Sequence, residues 1–329
     1  MSENRLNIVS VDNKEPPQQG NKGLTKTALK LEAQATCERL WRENPDQFNP
    51  LSNCMDRMRL DRTYNLITPF VDLHGKTVAE LGCGSGTFTR RLRDSGAAVH
   101  AVDIAGNALK ALHQHDDSNI QTFQDYVPMT SLKDNAYDLV VATDIIAYLH
   151  PNEYRLFFAE LSRLVKPEGY AVCSTPVDIN SDDALQRFGA LAETEFIIAV
   201  WVFSYHSFYI RVCDFFLAPA RFVKGNSDAT YRQKEIEKRY ALNRWWYSIN
   251  STAIPAAIWK IVSYLSNPLA AWLKQSTAVM NMLEKVCKFI SSDNGISHAT
   301  FIGKRRPLMQ MPPADAMPQE MKHKKQLWE

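Results

Sequence analysis

The chain holds 329 residues, 45% hydrophobic and 22% charged, with a formal net charge of +2. That length allows one large domain with additions or two small ones, and the near-neutral balance argues against any general attraction to nucleic acid. The six cysteines (37, 54, 83, 173, 213 and 287) form no CxxC pair, which argues against a zinc site or a disulfide framework and points to a reducing cytoplasm.

In chain order, residues 1–25 read as a disordered lead. The run at 13–22 (NKEPPQQGNK) is polar, and no apolar segment follows a basic start, so no secretory leader is expected. Residues 26–75 read as an N-terminal helical cap. In its second half Met55, Met58, Leu60, Tyr64, Leu66, Ile67 and Phe70 are spaced to cover one helical face, with Pro69 weakening the end.

From 76 to 204, short apolar runs alternate with helical segments. Strands are predicted at 77–81, 98–102, 119–123, 137–142, 169–174 and 195–203, with a last one at 298–303 inside a closing segment 296–306. Helices fit at 87–95, 106–114, 151–165 and 182–191. This alternation predicts a parallel, doubly wound sheet with helices on both faces. His113, His115, Asp116 and Asp117 read as a solvated turn, and no metal site is expected.

Residues 205–295 break the rhythm. They hold fifteen of the 34 aromatic residues, and twelve Lys/Arg against six Asp/Glu. Ile258, Ile261, Val262 and Leu265, then Val279, Leu283, Val286 and Ile290, follow helical spacing. Pro255, Lys260, Asn267 and Pro268 interrupt the longest apolar stretch, so no membrane-spanning helix is predicted. Three readings stay open for this basic, Trp-rich insert: a lid over an apolar acceptor, a peripheral contact with a lipid surface, or a helical interaction subdomain. Residues 307–329 read as a flexible tail whose Lys-rich run at 322–325 is solvated.

The most informative stretch is 77–87 (TVAELGCGSGT). A buried strand carrying Glu80 turns through Gly82, Gly84 and Gly86 into a helix. In an open parallel sheet, ligands sit beyond the carboxyl ends of the strands. Asp103 closes the second strand, where a carboxylate can accept both hydroxyls of a ribose. The GxGxG spacing, with Thr87 at the sixth position, departs from the dinucleotide pattern GxGxxG, and no GxxxxGK[ST] phosphate loop is present. The turn suits a nucleoside without phosphates.

On these residues the chain resembles the class I S-adenosylmethionine-dependent methyltransferases. The run 80–86 (ELGCGSG) is similar to their first motif, and Asp103 to the ribose-binding acid, with Ile104 beside the adenine. Gln124, Asp125 and Tyr126 resemble the third motif, whose acid binds the adenine amino group. The run 137–144 (YDLVVATD), including Thr143, resembles the fourth motif, beside the methyl-transfer site. The run 164–169 (LVKPEG) resembles the turn before the fifth strand, with Glu168 where the family carries glycine. Ala147 and Tyr148 stand where many relatives carry Glu-His.

The resemblance covers about residues 60–180 plus the last strand. It implies an α/β, Rossmann-like sheet of seven strands with the last antiparallel and a helical insert between the last two. It implies S-adenosylmethionine as cofactor, bound by Glu80, Gly82, Gly84, Gly86, Asp103, Ile104, Asp125, Tyr126 and Thr143, with its methionine part near the glycine turn. It implies methyl transfer to a small, apolar or lipid-like molecule by in-line displacement. Asp144, His150, Tyr205 and His206 are candidates for a base if the acceptor must lose a proton, whereas Asp138, which opens its strand, reads as structural. A cofactor-binding protein without turnover, using the insert for interaction, is the alternative. Nucleic acid is not an expected substrate, and the acceptor atom stays open.

Overall fold

The computed structural model describes residues 26–43, 45–113, 118–177, 184–238, 253–291 and 295–307. The expected N-terminal lead, the tail from 308 onward and the acidic end of the turn at 115–117 lie outside the described residues. Seven strands form one sheet: β1 Thr77–Leu81, β2 Ala98–Asp103, β3 Ile120–Gln124, β4 Tyr137–Thr143, β5 Val165–Pro176, β6 Phe196–Ser204 and β7 His298–Arg305. Their order is β3-β2-β1-β4-β5-β7-β6. β1 to β5 pair in parallel, while β7 runs antiparallel to both β5 and β6. This is the expected Rossmann-like architecture, with the insert between the last two strands.

Ten helices among the described residues complete it. They are α1 Lys26–Glu43, α2 Cys54–Ile67, α3 Thr87–Asp94, α4 Gly106–Leu112, α5 Tyr154–Leu164, α6 Ala184–Glu195, α7 Ser207–Ser227, α8 Ala229–Lys238, α9 Ala253–Gln275 and α10 Thr277–Ser291.

Strand periodicity sorts the core into two layers. Ala79, Leu81, Val140 and Ala142 face Phe157, Phe158 and Leu161 of α5 on one side of the sheet. Their neighbours Val78, Leu139 and Val141 face Phe88 and Leu92 of α3, and Leu109 and Leu112 of α4, on the other. Both faces are covered, so the central strands read as continuous apolar runs. β1 is central: β2 lies on one side and β4 on the other. The strand order therefore reverses between β1 and β4, and their carboxyl ends flank a crevice.

Two local features depart from simple propensity. β5 begins four residues before the expected 169, and Glu168 within it adopts φ 69°. Left-handed backbone costs an L residue roughly 1–2 kcal/mol, and here the Glu168 carboxylate pairs with Lys304 of β7. Asp138 at the head of β4 accepts from the Thr77 backbone N–H at 3.0 Å and from Lys166 Nζ at 2.8 Å, tying three strands together.

The insert packs on α2. Tyr209 and Cys213 of α7, Leu273 of α9 and Met280 of α10 form one cluster with Cys54 and Met55 of α2. Arg62 of α2 donates to both carboxylate oxygens of Glu284 on α10, at 2.6 and 2.5 Å. Among the described residues, no helix is long and apolar enough to cross a membrane.

Candidate active site

The glycine turn is built by backbone that bends back onto β2. Gly82 N and Cys83 N both donate to the carbonyl of Val102, at 2.7 and 3.0 Å. Gly82 holds φ 74°, and a Cβ there would meet Ile145 Cδ1 at 2.9 Å. Gly86 holds φ 80°, and its Cβ would meet Leu112 Cγ at 2.6 Å. Only glycine satisfies both the dihedral and the close approach.

Asp103 is buried at the end of β2. Its Oδ2 accepts from Gly84 N and its Oδ1 from Ala105 N, both at 2.9 Å. Burial raises its carboxyl above the usual value, against the pull of these donors. Each oxygen keeps a second lone pair for a ligand hydroxyl. Glu80, 2% exposed, has an Oε2 without a hydrogen-bond partner. Burial pushes its carboxyl up to about 8.

Across the crevice, β4 ends in Thr143 and Asp144, the latter at φ 58°. Asp144 Oδ1 accepts from Ser174 Oγ at 2.8 Å, and Oδ2 from Arg59 Nη2 at 2.5 Å. Arg59 Nη1 also lies 2.7 Å from His298 Nε2. Desolvation opposes ionisation of Asp144, but Arg59 and the Ser174 hydroxyl hold its carboxyl below the ordinary range. Burial, reinforced by Arg59, drives His298 well below its usual value, so the ring is neutral and accepts from the guanidinium.

These two ends share one cavity of about 300 Å³. Glu80, Gly82, Gly84, Asp103, Ile104, Asp125, Tyr126, Thr143 and Asp144 all line it. Gly86 does not; it shapes the turn from behind. Asp125 commits Oδ2 to the backbone and hydroxyl of Ser131, at 2.7 and 2.6 Å, while its Oδ1 lies 4.0 Å from Lys30 Nζ. The Tyr126 hydroxyl is bound to Glu153, so Tyr126 offers its ring rather than its oxygen.

Three of the four candidate bases lie elsewhere. His150 caps the turn into α5: its Nδ1 accepts from Asn152 N at 3.3 Å, while its own N–H donates to Glu153 Oε2 at 3.0 Å. Tyr205 packs against Cys287 and Ile296 beneath α10. His206 is fully buried with neither ring nitrogen hydrogen-bonded, and burial lowers it to about 4. Of that set, only Asp144 reaches the cavity.

The cavity's cover bears on the lid, one of the three readings of the insert. Among the described residues it comes from 33–63, and none between 205 and 291 lines the space. Trp41 of α1 stacks on Phe48 with centroids 4.7 Å apart. The Trp41 ring lies 3.4 Å from where a Cβ on Gly84 would sit, so it roofs the glycine turn. Glu38 anchors this cover by accepting from Gly106 N at 2.6 Å, at the start of α4.

Arg59, His298, Ser174 and Trp41 were not singled out from the sequence. Arg59 did leave a signal. It shares a helical face with Met55, Thr63 and Leu66, all buried, and a cation in that phase needs a buried partner.

The residues present fit an adenosyl ligand. A buried carboxylate with spare lone pairs, an unpartnered Glu80 oxygen and a turn where no Cβ fits converge on one cavity.

Residues 78–169 match the family model described as a methyltransferase domain. A ubiquinone biosynthesis O-methyltransferase from Burkholderia thailandensis is 28% identical over 139 residues, covering 41% of this chain and 57% of that protein. One from Glaesserella parasuis is 24% identical over 208 residues, covering 60% of this chain and 80% of that one. The chain thus spans little more than half of the former relative. Among solved structures, the N-methyltransferase NodS from Bradyrhizobium japonicum, in complex with S-adenosylhomocysteine, is similar at 18% identity, with a TM-score of 0.45 over 52% of this chain and 89% of that one. The match shows a methyltransferase domain over residues 78–169, the stretch that holds the GxGxG turn and the acid closing β2.

Proposed function

We propose that the chain is an S-adenosylmethionine-dependent methyltransferase acting on a small, apolar or lipid-like acceptor. The observation that carries this reading is the continuity of the cavity. The Glu80–Gly84–Asp103 end and the Arg59–Asp144–His298 end open into one space. When bound, S-adenosylmethionine supplies a methyl on a positive sulfonium, which a nucleophile takes by in-line displacement.

The chain's own residues hold and align. On this reading Asp103 binds ribose hydroxyls, Ile104 packs on an adenine and Asp125 accepts from its amino group. Trp41, Phe48 and Leu60 give the cavity an apolar wall that excludes water, which supports an apolar acceptor. Alignment alone can supply much of the acceleration, because it makes a bimolecular step effectively unimolecular. The relatives named as O-methyltransferases of ubiquinone biosynthesis support a hydroxyl oxygen as the acceptor atom. For such an acceptor the guanidinium of Arg59 favours the ionised oxygen. Asp144, with both oxygens engaged, orients Arg59 and is a poor base.

The test is transfer of a labelled methyl from S-adenosylmethionine into an organic extract of cells by the full chain. Label in an extractable product, lost in Asp103→Ala, is expected. A protein that binds S-adenosylhomocysteine yet labels no fraction would overturn this reading in favour of binding without turnover.

A further inference from the structure

We propose that α9 and α10 form a docking surface for an anionic lipid bilayer, lying on it rather than crossing it. In α9, Ile258, Ile261, Leu265 and Trp272 recur at helical spacing on one face, with Tyr264 beside them, and every one is exposed. Tyr264 is 79% exposed. The opposite face, with Ser263, Ala270 and Leu273, is the buried one. This inverts the usual amphipathic arrangement, in which the apolar stripe faces the core.

α10 repeats the pattern: Met282, Val286, Phe289 and Ile290 share an exposed face, and Phe289 is 90% exposed. Meanwhile Met280, Glu284 and Cys287 face inward. Both helices turn their inner faces to α2 and α7, so both apolar faces lie on the side turned away from that packing. Large apolar side chains exposed along one face of each of two consecutive helices mark an interaction site.

Charge selects the occupant. Lys260 and Lys285 are exposed beside the apolar faces, and Lys288, also exposed, lies at the inner edge of α10 over the Tyr205 ring. The only carboxylate on the two helices, Glu284, is turned inward and bound to Arg62. A two-fold contact with a second copy would set one lysine-flanked patch against the same patch. An anionic headgroup layer complements the lysines while its acyl boundary accepts the Trp, Tyr, Phe and aliphatic side chains.

The test is flotation of the full chain with vesicles of phosphatidylcholine alone or mixed with phosphatidylglycerol, at low and high salt. It needs neither methyl donor nor acceptor, so failure of the proposed catalysis leaves it intact. Flotation with the anionic vesicles, weakened by salt, is expected. Leu265→Glu with Phe289→Glu should weaken it by roughly tenfold or more per side chain. Lys260→Glu, Lys285→Glu and Lys288→Glu together should remove its salt dependence. All five positions are exposed, and an unchanged thermal midpoint certifies the fold. The proposal is overturned if the wild type stays unbound on anionic vesicles, or if the Leu265/Phe289 variant floats equally well. It is also overturned if sedimentation finds a dimer that this variant splits and no vesicle binding, which assigns the face to a second copy.

Discussion

Glu80→Gln should flatten the alkaline side of the stability profile. Glu80 is 2% exposed, its Oε2 lacks a partner, and burial lifts its carboxyl from 4.5 to about 8. The folded value lies above the unfolded one, so the folded state holds a proton that the unfolded chain releases. The associated stability is therefore full below the unfolded value of 4.5 and declines until the pH passes about 8. Each pK unit is worth about 1.36 kcal/mol, so the decline across that window is on the order of 4–5 kcal/mol. Glutamine carries no titrating proton and keeps the neutral form's packing. Urea unfolding followed by tryptophan fluorescence, at intervals from about pH 5 to about pH 9, measures the difference directly. The variant should match the wild type in acid and exceed it in base. Parallel profiles for the two proteins would refute the argument, because they would mean that Glu80 has the same proton affinity folded and unfolded.

The same group couples to ligand binding. An ammonium placed beside Glu80 would favour the carboxylate, so S-adenosylhomocysteine should release a proton near neutral pH; calorimetry in buffers of differing ionisation enthalpy should show this for the wild type and not for Glu80→Gln. Asp103→Ala should weaken S-adenosylhomocysteine by roughly 1–3 kcal/mol, since it removes the acceptor for ribose hydroxyls; unchanged affinity in calorimetry counts against the assignment. Arg59→Met should lower methyl transfer about a hundredfold or more while leaving S-adenosylhomocysteine affinity nearly unchanged; equal loss in both would make Arg59 structural. Arg62→Ala should cost about 1–3 kcal/mol by stranding Glu284. Burial opposes ionisation of Glu284, but Arg62 and its other partners hold it below 4.5, so its contribution is present above that pH and lost in acid. Acid titration of the variant by circular dichroism should show that dependence reduced.

The sheet was legible because its signals are local. Central strands buried on both faces appear as apolar runs, and the run at 77–81 is β1 to the residue. The glycine turn and Asp103 declared themselves because a sharp turn and a strand-closing acid leave few alternatives. What failed depended on contacts distant in sequence. His206 follows β6, which made it a candidate for the ligand side. The sheet, however, inserts β7 between β5 and β6, and Ser204 pairs with His298. His298 therefore sits next to Asp144, while His206 is turned into the protein under α10. One of the three readings set the insert over the mouth, yet Tyr209, Leu273 and Met280 find their packing on Cys54 and Met55 of α2. Among the described residues, Trp41 and Phe48 roof the cavity. Nothing local distinguishes a helix that covers a pocket from one that leans on its neighbour.

Titration of S-adenosylhomocysteine into the full chain by calorimetry tests the central claim most directly. Saturable binding at one site is expected, sharply weakened in Asp103→Ala and retained in His206→Ala, a substitution remote from the cavity. No binding by a folded wild-type protein, or equal binding by all three, would contradict it.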